Sequence, residues 1–101
     1  RRPAIDMTYK FNRPDANQYR IVKALESVGC KVYVVNRAPF DLVVGRHGVT
    51  YLLEVKDAAK SPSAQALTPA QVKFEKSWNG HWACINNADD AIRICTGQRL
   101  L

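Results

Sequence analysis

Apolar positions near the start of the chain recur at helical spacing. Ile21, Val22, Leu25 and Val28 fall at i, i+1, i+4 and i+7, one face of a helix. Asp15 with Gln18 three residues on has the form of a capping box that starts this helix, and Gly29 ends it. The period then shortens. Lys31 to Val35 is β-branched and aromatic, which predicts a largely buried strand. Phe40 to Gly45 and Val49 to Lys56 are two further runs, and Arg46-His47-Gly48 between them predicts a hairpin. In the later run Tyr51, Leu53 and Val55 share one face, while Thr50, Leu52, Glu54 and Lys56 share the other. From Asp57 to Ala66 no period survives, so a surface loop is expected. Thr68-Pro69-Ala70-Gln71 signals a second helix, with Thr68 as N-cap, Pro69 at the first helical position and Gln71 as the box partner. Asn79-Gly80 stops it, Trp82 to Ile85 predicts a fourth strand, and Asn87 caps a last helix carrying Ala91, Ile92 and Cys95. The order is helix, three strands, helix, strand, helix, an α/β arrangement without internal repeats.

At 101 residues the chain has room for one core, so we expect a single domain over residues 15–101 behind a basic arm over residues 1–14. Hydrophobic residues at 47% and charged residues at 24% exclude disordered and fibrous classes. No window approaches the ~20 apolar residues of a membrane span, and Arg1 to Asp15 lacks the apolar stretch of a signal peptide. An intracellular, cytoplasmic protein without a membrane partner is the expectation. The opening Arg1, in place of Met, reads as a trimmed product or a piece of a longer one. Cys30, Cys84 and Cys95 are odd in number and lack C-x-x-C spacing, so buried free thiols are expected rather than disulfides or a zinc site. Fifteen Lys and Arg against nine Asp and Glu leave a net charge of +6, which in so small a domain points to a polyanionic partner.

The sharpest chemical signal lies in the hairpin. If it turns through a two-residue loop at His47-Gly48, Arg46 faces Val49 and, counting back along both strands, Asp41 faces Glu54. Opposed residues of an antiparallel pair have Cβ atoms about 4.5–5.5 Å apart, so both carboxylates leave one face of the sheet into one small volume. Like charges placed so destabilise a sheet unless something offsets them. Mg²⁺ takes oxygen ligands and keeps several waters, and a metal held in that way suits phosphodiester hydrolysis. Lys56, two residues beyond Glu54 on the same face, then serves as an electrostatic stabiliser and water-orienting group. The competing reading is structural: Lys56 pairs with Glu54, and Asp41 only ends a strand or starts a turn. A loop one residue longer would separate the acids.

Phe40-Asp41-Leu42 followed by Glu54-Val55-Lys56 resembles the P-D…(D/E)-x-K signature of the restriction-endonuclease-like nuclease superfamily. More narrowly, Asp41-Leu42-Val43-Val44-Gly45, Tyr51-Leu52-Leu53-Glu54-Val55-Lys56 and Leu67-Thr68-Pro69-Ala70-Gln71 resemble the virus-type replication-repair nuclease, or VRR-NUC, family from about Asp15 to Ile92. The resemblance implies a restriction-endonuclease-like αβββαβ core, a mixed sheet flanked by helices, and metal-dependent cleavage of DNA of the phage or mobile-element replication and repair type, with Mg²⁺ as cofactor and Mn²⁺ as its substitute. It implies Asp41, Glu54 and the backbone carbonyl of Val55 as metal ligands, Lys56 as the catalytic lysine, and Gln71 as a contact to the scissile phosphate or a metal-bound water. The chain departs from the family twice. An acidic residue on the first helix is replaced by Asn17 and Gln18, so that ligand is absent, moved to Asp15 or exchanged for a neutral oxygen. Pro39 is separated from Asp41 by Phe40, where the family has proline immediately before the aspartate.

Gln71 also reads as nothing more than the capping partner of Thr68, and the two roles are compatible. His47 is expected as a turn residue and His81 as the polar start of a strand. Trp78 and Trp82 could stack on bases but are expected in the core, because the chain has few other large apolar groups. Lys60, Arg37, Arg46 and Lys73, with Lys76, are expected phosphate contacts around the site, acting collectively. So small a nuclease has little surface for reading sequence, so structure-selective action on branched or junction DNA, or nonspecific action, is expected, from a homodimer. Three functions compete: a Mg²⁺-dependent DNA endonuclease, a non-cleaving DNA-binding module of the same fold, and a subunit whose partner supplies substrate recognition.

Overall fold

Ile21 and Leu25 lie fully buried on α1 (Ala16–Ser27), the first element of a computed structural model that describes residues 16–97. Gly29 follows with φ +89, the left-handed conformation that ends helices. The basic arm and Asp15, with its half of the capping box, lie outside the described residues. Then come β1 (Lys31–Arg37), β2 (Phe40–Arg46), β3 (Val49–Val55), α2 (Pro62–Gln65), α3 (Pro69–Ser77), β4 (His81–Ile85) and α4 (Ala88–Cys95). The sheet order is β1-β2-β3-β4, with β4 parallel to β3 and the other pairs antiparallel. This mixed sheet is a single-domain α/β architecture, and its one parallel pair needs the crossover that α3 provides.

His47 and Gly48 have φ of +52 and +80, the two positive values of a type I′ turn. Arg46 accordingly pairs with Val49, and the ladder runs back to Leu42 opposite Leu53. One face of the sheet closes on α1 and α4 around Ile21, Leu25, Leu42, Val44, Leu53 and Cys95. Each such side chain contributes roughly 1.5–3 kcal/mol by leaving water. The opposite face is met by α3, through Gln71 and through Phe74, whose ring packs against Phe40 and Trp82.

Several expectations change. β1 is not largely buried: Val32 is, but Tyr33 is 69% exposed. Among the described residues it is the edge strand, and no helix packs closely on its second face. Its register shifts between Val34 and Arg37, a bulge at which Asn36 adopts φ +54. The loop after β3 contains the short helix α2, capped by Ser61. Trp78 is not in the core; it is 43% exposed, its ring stacks on Phe74 at 5.2 Å, and its Nε1 donates to the His81 carbonyl at 3.2 Å. Gly80 permits this close approach, since a Cβ there would lie 2.9 Å from the indole. Trp82 donates Nε1 to Glu75 Oε2 at 3.0 Å. Cys30 and Cys95 are buried thiols as expected, and burial pushes Cys95 up to about 12, but Cys84 is exposed. Among the described residues no helix is long and apolar enough to cross a membrane.

Candidate functional site

The hairpin register makes Asp41 and Glu54 the next opposed positions beyond Leu42 and Leu53. Asp41 does more than end a strand, because its Oδ2 accepts the Val55 N–H at 2.9 Å and so fixes the carboxylate across the mouth of the hairpin. Glu54 is only 7% exposed. Its pKa is raised from 4.5, first by burial and then by the Asp41 charge, while a hydrogen bond from Gln71 and the Lys56 charge pull the other way. Lys56 Nζ stands 3.3 Å from Glu54 Oε2 and donates to Gln71 Oε1 at 3.2 Å.

Gln71 is itself 96% buried by the same arrangement, at 4% exposure. Its Oε1 accepts the Thr68 N–H at 2.9 Å, and the Thr68 hydroxyl accepts the Gln71 N–H at 3.2 Å, a complete capping box. The helix cap therefore doubles as the polar wall that orients Lys56 against Glu54. Of the two roles read from the sequence, capping is the one present here, and the same side chain also accepts from Lys56.

Asp41, Glu54, Val55 and Lys56 line one cavity of about 480 Å³, together with Asn17, Gln18, Asn36, Asp57 and Lys60. Asn17 Nδ2 donates to the Lys56 carbonyl at 2.9 Å and to the Asn86 carbonyl at 3.1 Å, tying the start of α1 to the ends of β3 and β4. The Lys56 N–H in turn donates to the Ile85 carbonyl at 2.8 Å, so its backbone is held on both sides. Gln18, 7% exposed, donates Nε2 to Asn36 Oδ1 at 2.7 Å across the bulge. Sequence reading missed Asn36 and Asp57 as cavity residues. The signal for Asn36 was slight: asparagine tolerates the left-handed conformation that the bulge demands. Asp57 follows Lys56 directly and accepts the Ala59 N–H at 2.9 Å, the local turn bond typical of aspartate.

The expected phosphate contacts divide. Lys60 lines the cavity, and Arg37 lies exposed just past Asn36. Arg46 sits at the far end of β2, five residues or roughly 17 Å from Asp41, and its Nε donates to the Val28 carbonyl at 3.1 Å. The hairpin that brings the acids together is what sends Arg46 away. Lys73 is exposed on α3, about 200° round the helix from buried Gln71. Among the described residues no three His, Cys, Asp or Glu side chains converge, so a bound cation would rest on the two carboxylates, a backbone carbonyl and water.

No protein-family model matches the sequence, and no curated protein matches it. A solved structure described as a VRR_NUC domain superposes with a TM-score of 0.60 at 18% identity, covering 82% of this chain and 94% of that chain. At that identity the likeness is one of fold. The nuclease-like core that the sequence motifs led us to expect, the fold of a VRR_NUC domain, is thus the fold this chain adopts.

Proposed function

We propose that the chain is a metal-dependent DNA endonuclease hydrolysing phosphodiester bonds. The observation that supports it is the convergence of Asp41, Glu54 and Lys56 at one cavity, with Gln71 bonded to Lys56 behind them, on a nuclease-like fold. The residues fit a hard divalent cation. Among the described residues, Asp41, Glu54 and Asp57 share the cavity with Lys56 and Lys60, and burial beside Asp41 already penalises the Glu54 charge, so a cation would offset that penalty. Asp41, Glu54 and the Val55 carbonyl would hold Mg²⁺, or Mn²⁺ in its place, with waters filling the other positions. Once bound, the metal supplies water activation and charge stabilisation at a phosphoryl oxygen.

The chain's own groups do the rest. The Val55 N–H keeps Asp41 in one orientation. Gln71 holds Lys56 beside Glu54, where its charge opposes the negative charge that develops on the phosphoryl group during transfer. Lys60 and Arg37 draw the DNA backbone toward the cavity, with Lys73 and Arg46 contributing from farther off through the +6 net charge. We assign branched, junction or nonspecific DNA as substrate, a homodimer as the working form and the cytoplasm as its place. The test is incubation of branched, single-stranded and duplex DNA with Mg²⁺, Mn²⁺ or EDTA, beside Asp41→Asn and Glu54→Gln. Cleavage that needs metal and both acids supports the reading; metal-independent or acid-independent cleavage contradicts it.

A second reading, a DNA-binding module that does not cut, draws on two observations. Glu54 already has Lys56 and Gln71 as partners, and the α1 side of the cavity offers Asn17 and Gln18 rather than an acid. It expects salt-sensitive DNA binding with no cleavage under any metal.

A further inference from the structure

The sheet face that carries the acids also carries an aromatic ring that no described residue holds. The pairings Tyr33↔Val43, Val43↔Leu52 and Leu52↔Trp82 set these four residues in one row across the sheet. Opposed residues share a face, as do residues two apart along a strand. Asp41 lies two residues from Val43 and Glu54 two from Leu52, so the acids form the next row on the same face, roughly 7 Å along the strands. Tyr33 is 69% exposed, and among the described residues neither its ring nor its hydroxyl has a partner. Trp78 is different: it is exposed too, but its ring is stacked on Phe74 and its Nε1 is bonded. Half-buried Val43 forms the floor between Tyr33 and the acids.

Charge decides what the ring is for. β1 carries Lys31 and Arg37, both exposed, and no acid. A second copy pairing antiparallel along this edge, centred on Val34, would set Lys31 of one strand against Arg37 of the other, a destabilising like-charge contact. A polyanion would neutralise both. A base inside a duplex has its faces covered by its neighbours, whereas an unpaired base offers a free face to an aromatic side chain.

We propose that Tyr33 is a stacking platform for an unpaired nucleobase beside the cavity, with Lys31 and Arg37 holding the phosphates of that strand. This rests on the nuclease reading and deepens it: the substrate strand is unpaired on the β1 side of the cut. A tyrosine suits the task because its large flat ring has few rotamers to lose.

Binding is read in EDTA, with cleavage off, using a single-stranded oligonucleotide that carries 2-aminopurine and a fully paired duplex of the same sequence. Tyr33→Ala should weaken single-strand binding about tenfold, within the range of base–aromatic stacking, and abolish the fluorescence quench. Duplex affinity and Tm should stay unchanged. Tyr33→Phe should behave as wild type, because the ring does the stacking. Equal single-strand affinity in Tyr33→Ala and wild type, or an equal loss on both DNAs, overturns the platform. So does sedimentation showing a wild-type dimer that Tyr33→Ala splits, which assigns this face to a second copy. Wild type that binds neither DNA at low salt removes the nuclease reading and the platform with it. DNA binding indifferent to Tyr33 removes the platform alone.

Discussion

On the face turned toward α1 and α4, β3 presents Tyr51 and Leu53, at 8% and 0% exposure; on the opposite face it presents Leu52 and Glu54, both at 7%. The two faces bury side chains to nearly the same extent, yet by different means. Apolar helix residues such as Ile21, Leu25 and Ala91 close the first. On the second, Glu54 is closed in by Gln71 and Lys56 beneath α3, while among the described residues the β1 end stays open at Tyr33. Depth therefore does not separate core from site in this sheet. What separates them is whether the partners are apolar and complete, or polar and short of charge.

Breaking the closed face has the largest expected effect. Leu53→Ala removes a fully buried side chain and leaves a cavity, at a cost of about 2–5 kcal/mol, a large share of the roughly 5–15 kcal/mol that holds a domain folded. Urea unfolding should show a much lower midpoint with the same slope. A loss under ~1 kcal/mol would mean that this face is not the closed layer it is taken to be.

The open face should instead lose chemistry. Lys56→Met removes the charge next to Glu54, and cleavage should fall by ~10²-fold or more, equivalent to about 2.7 kcal/mol of transition-state stabilisation. DNA affinity should change little, since one charge of a collective field is lost. Single-turnover rates and equilibrium binding on the same branched substrate measure the two separately. A variant that cuts as fast as wild type would place Lys56 with the structural ion pairs.

Asp41 sharpens the contrast, because two substitutions there part a structural role from a chemical one. Asp41→Ala leaves the Val55 N–H without the acceptor now 2.9 Å away, and should cost about 1–3 kcal/mol in EDTA. Asp41→Asn keeps an acceptor oxygen and removes a charge that disfavours ionised Glu54, so its stability should match or slightly exceed wild type. Both should abolish metal-dependent cleavage and weaken Mn²⁺ binding in calorimetric titration. Equal destabilisation by both would show that the charge of Asp41, not its hydrogen bond, supports the fold.

These contrasts track what could be read from the chain. The hairpin register was legible because His47-Gly48 makes a two-residue turn, and turn length alone decides which residue faces Glu54. The caps at Thr68 and Asn87 were legible because capping is local chemistry. Properties set by distant segments were not. Val-Tyr-Val-Val in β1 has the composition of a buried strand, and only the sheet order makes it an edge. Trp78 looked like core until the end of α3 placed it beside Gly80 at the surface. Gln18 and Asn36 meet because a bulge turns β1 toward α1, and no spacing announces a bulge. Arg46 counted as a site cation by charge, although the hairpin carries it to the other end of the strand.

The smallest expected effect is a slope with pH. Burial first, and Asp41 second, raise the Glu54 pKa from 4.5, against Gln71 and Lys56. The folded chain thus keeps a proton there that the unfolded chain releases. The contribution of this group to stability is fully present below the unfolded value and is lost as pH rises through the higher folded one. Glu54→Gln is neutral at every pH, and the acids that do not interact with Glu54 cancel when it is compared with wild type, leaving the Asp41–Glu54 pair as the difference. In EDTA, Tm of the variant should gain on wild type as pH rises from acid toward neutrality, and Mg²⁺ should narrow the gap by stabilising only the wild type. The opposite trend, with wild type gaining as pH rises, would mean that Lys56 and Gln71 outweigh burial and the Asp41 charge. Glu54 would then be the settled half of an ion pair, and the open face would be as complete as the closed one.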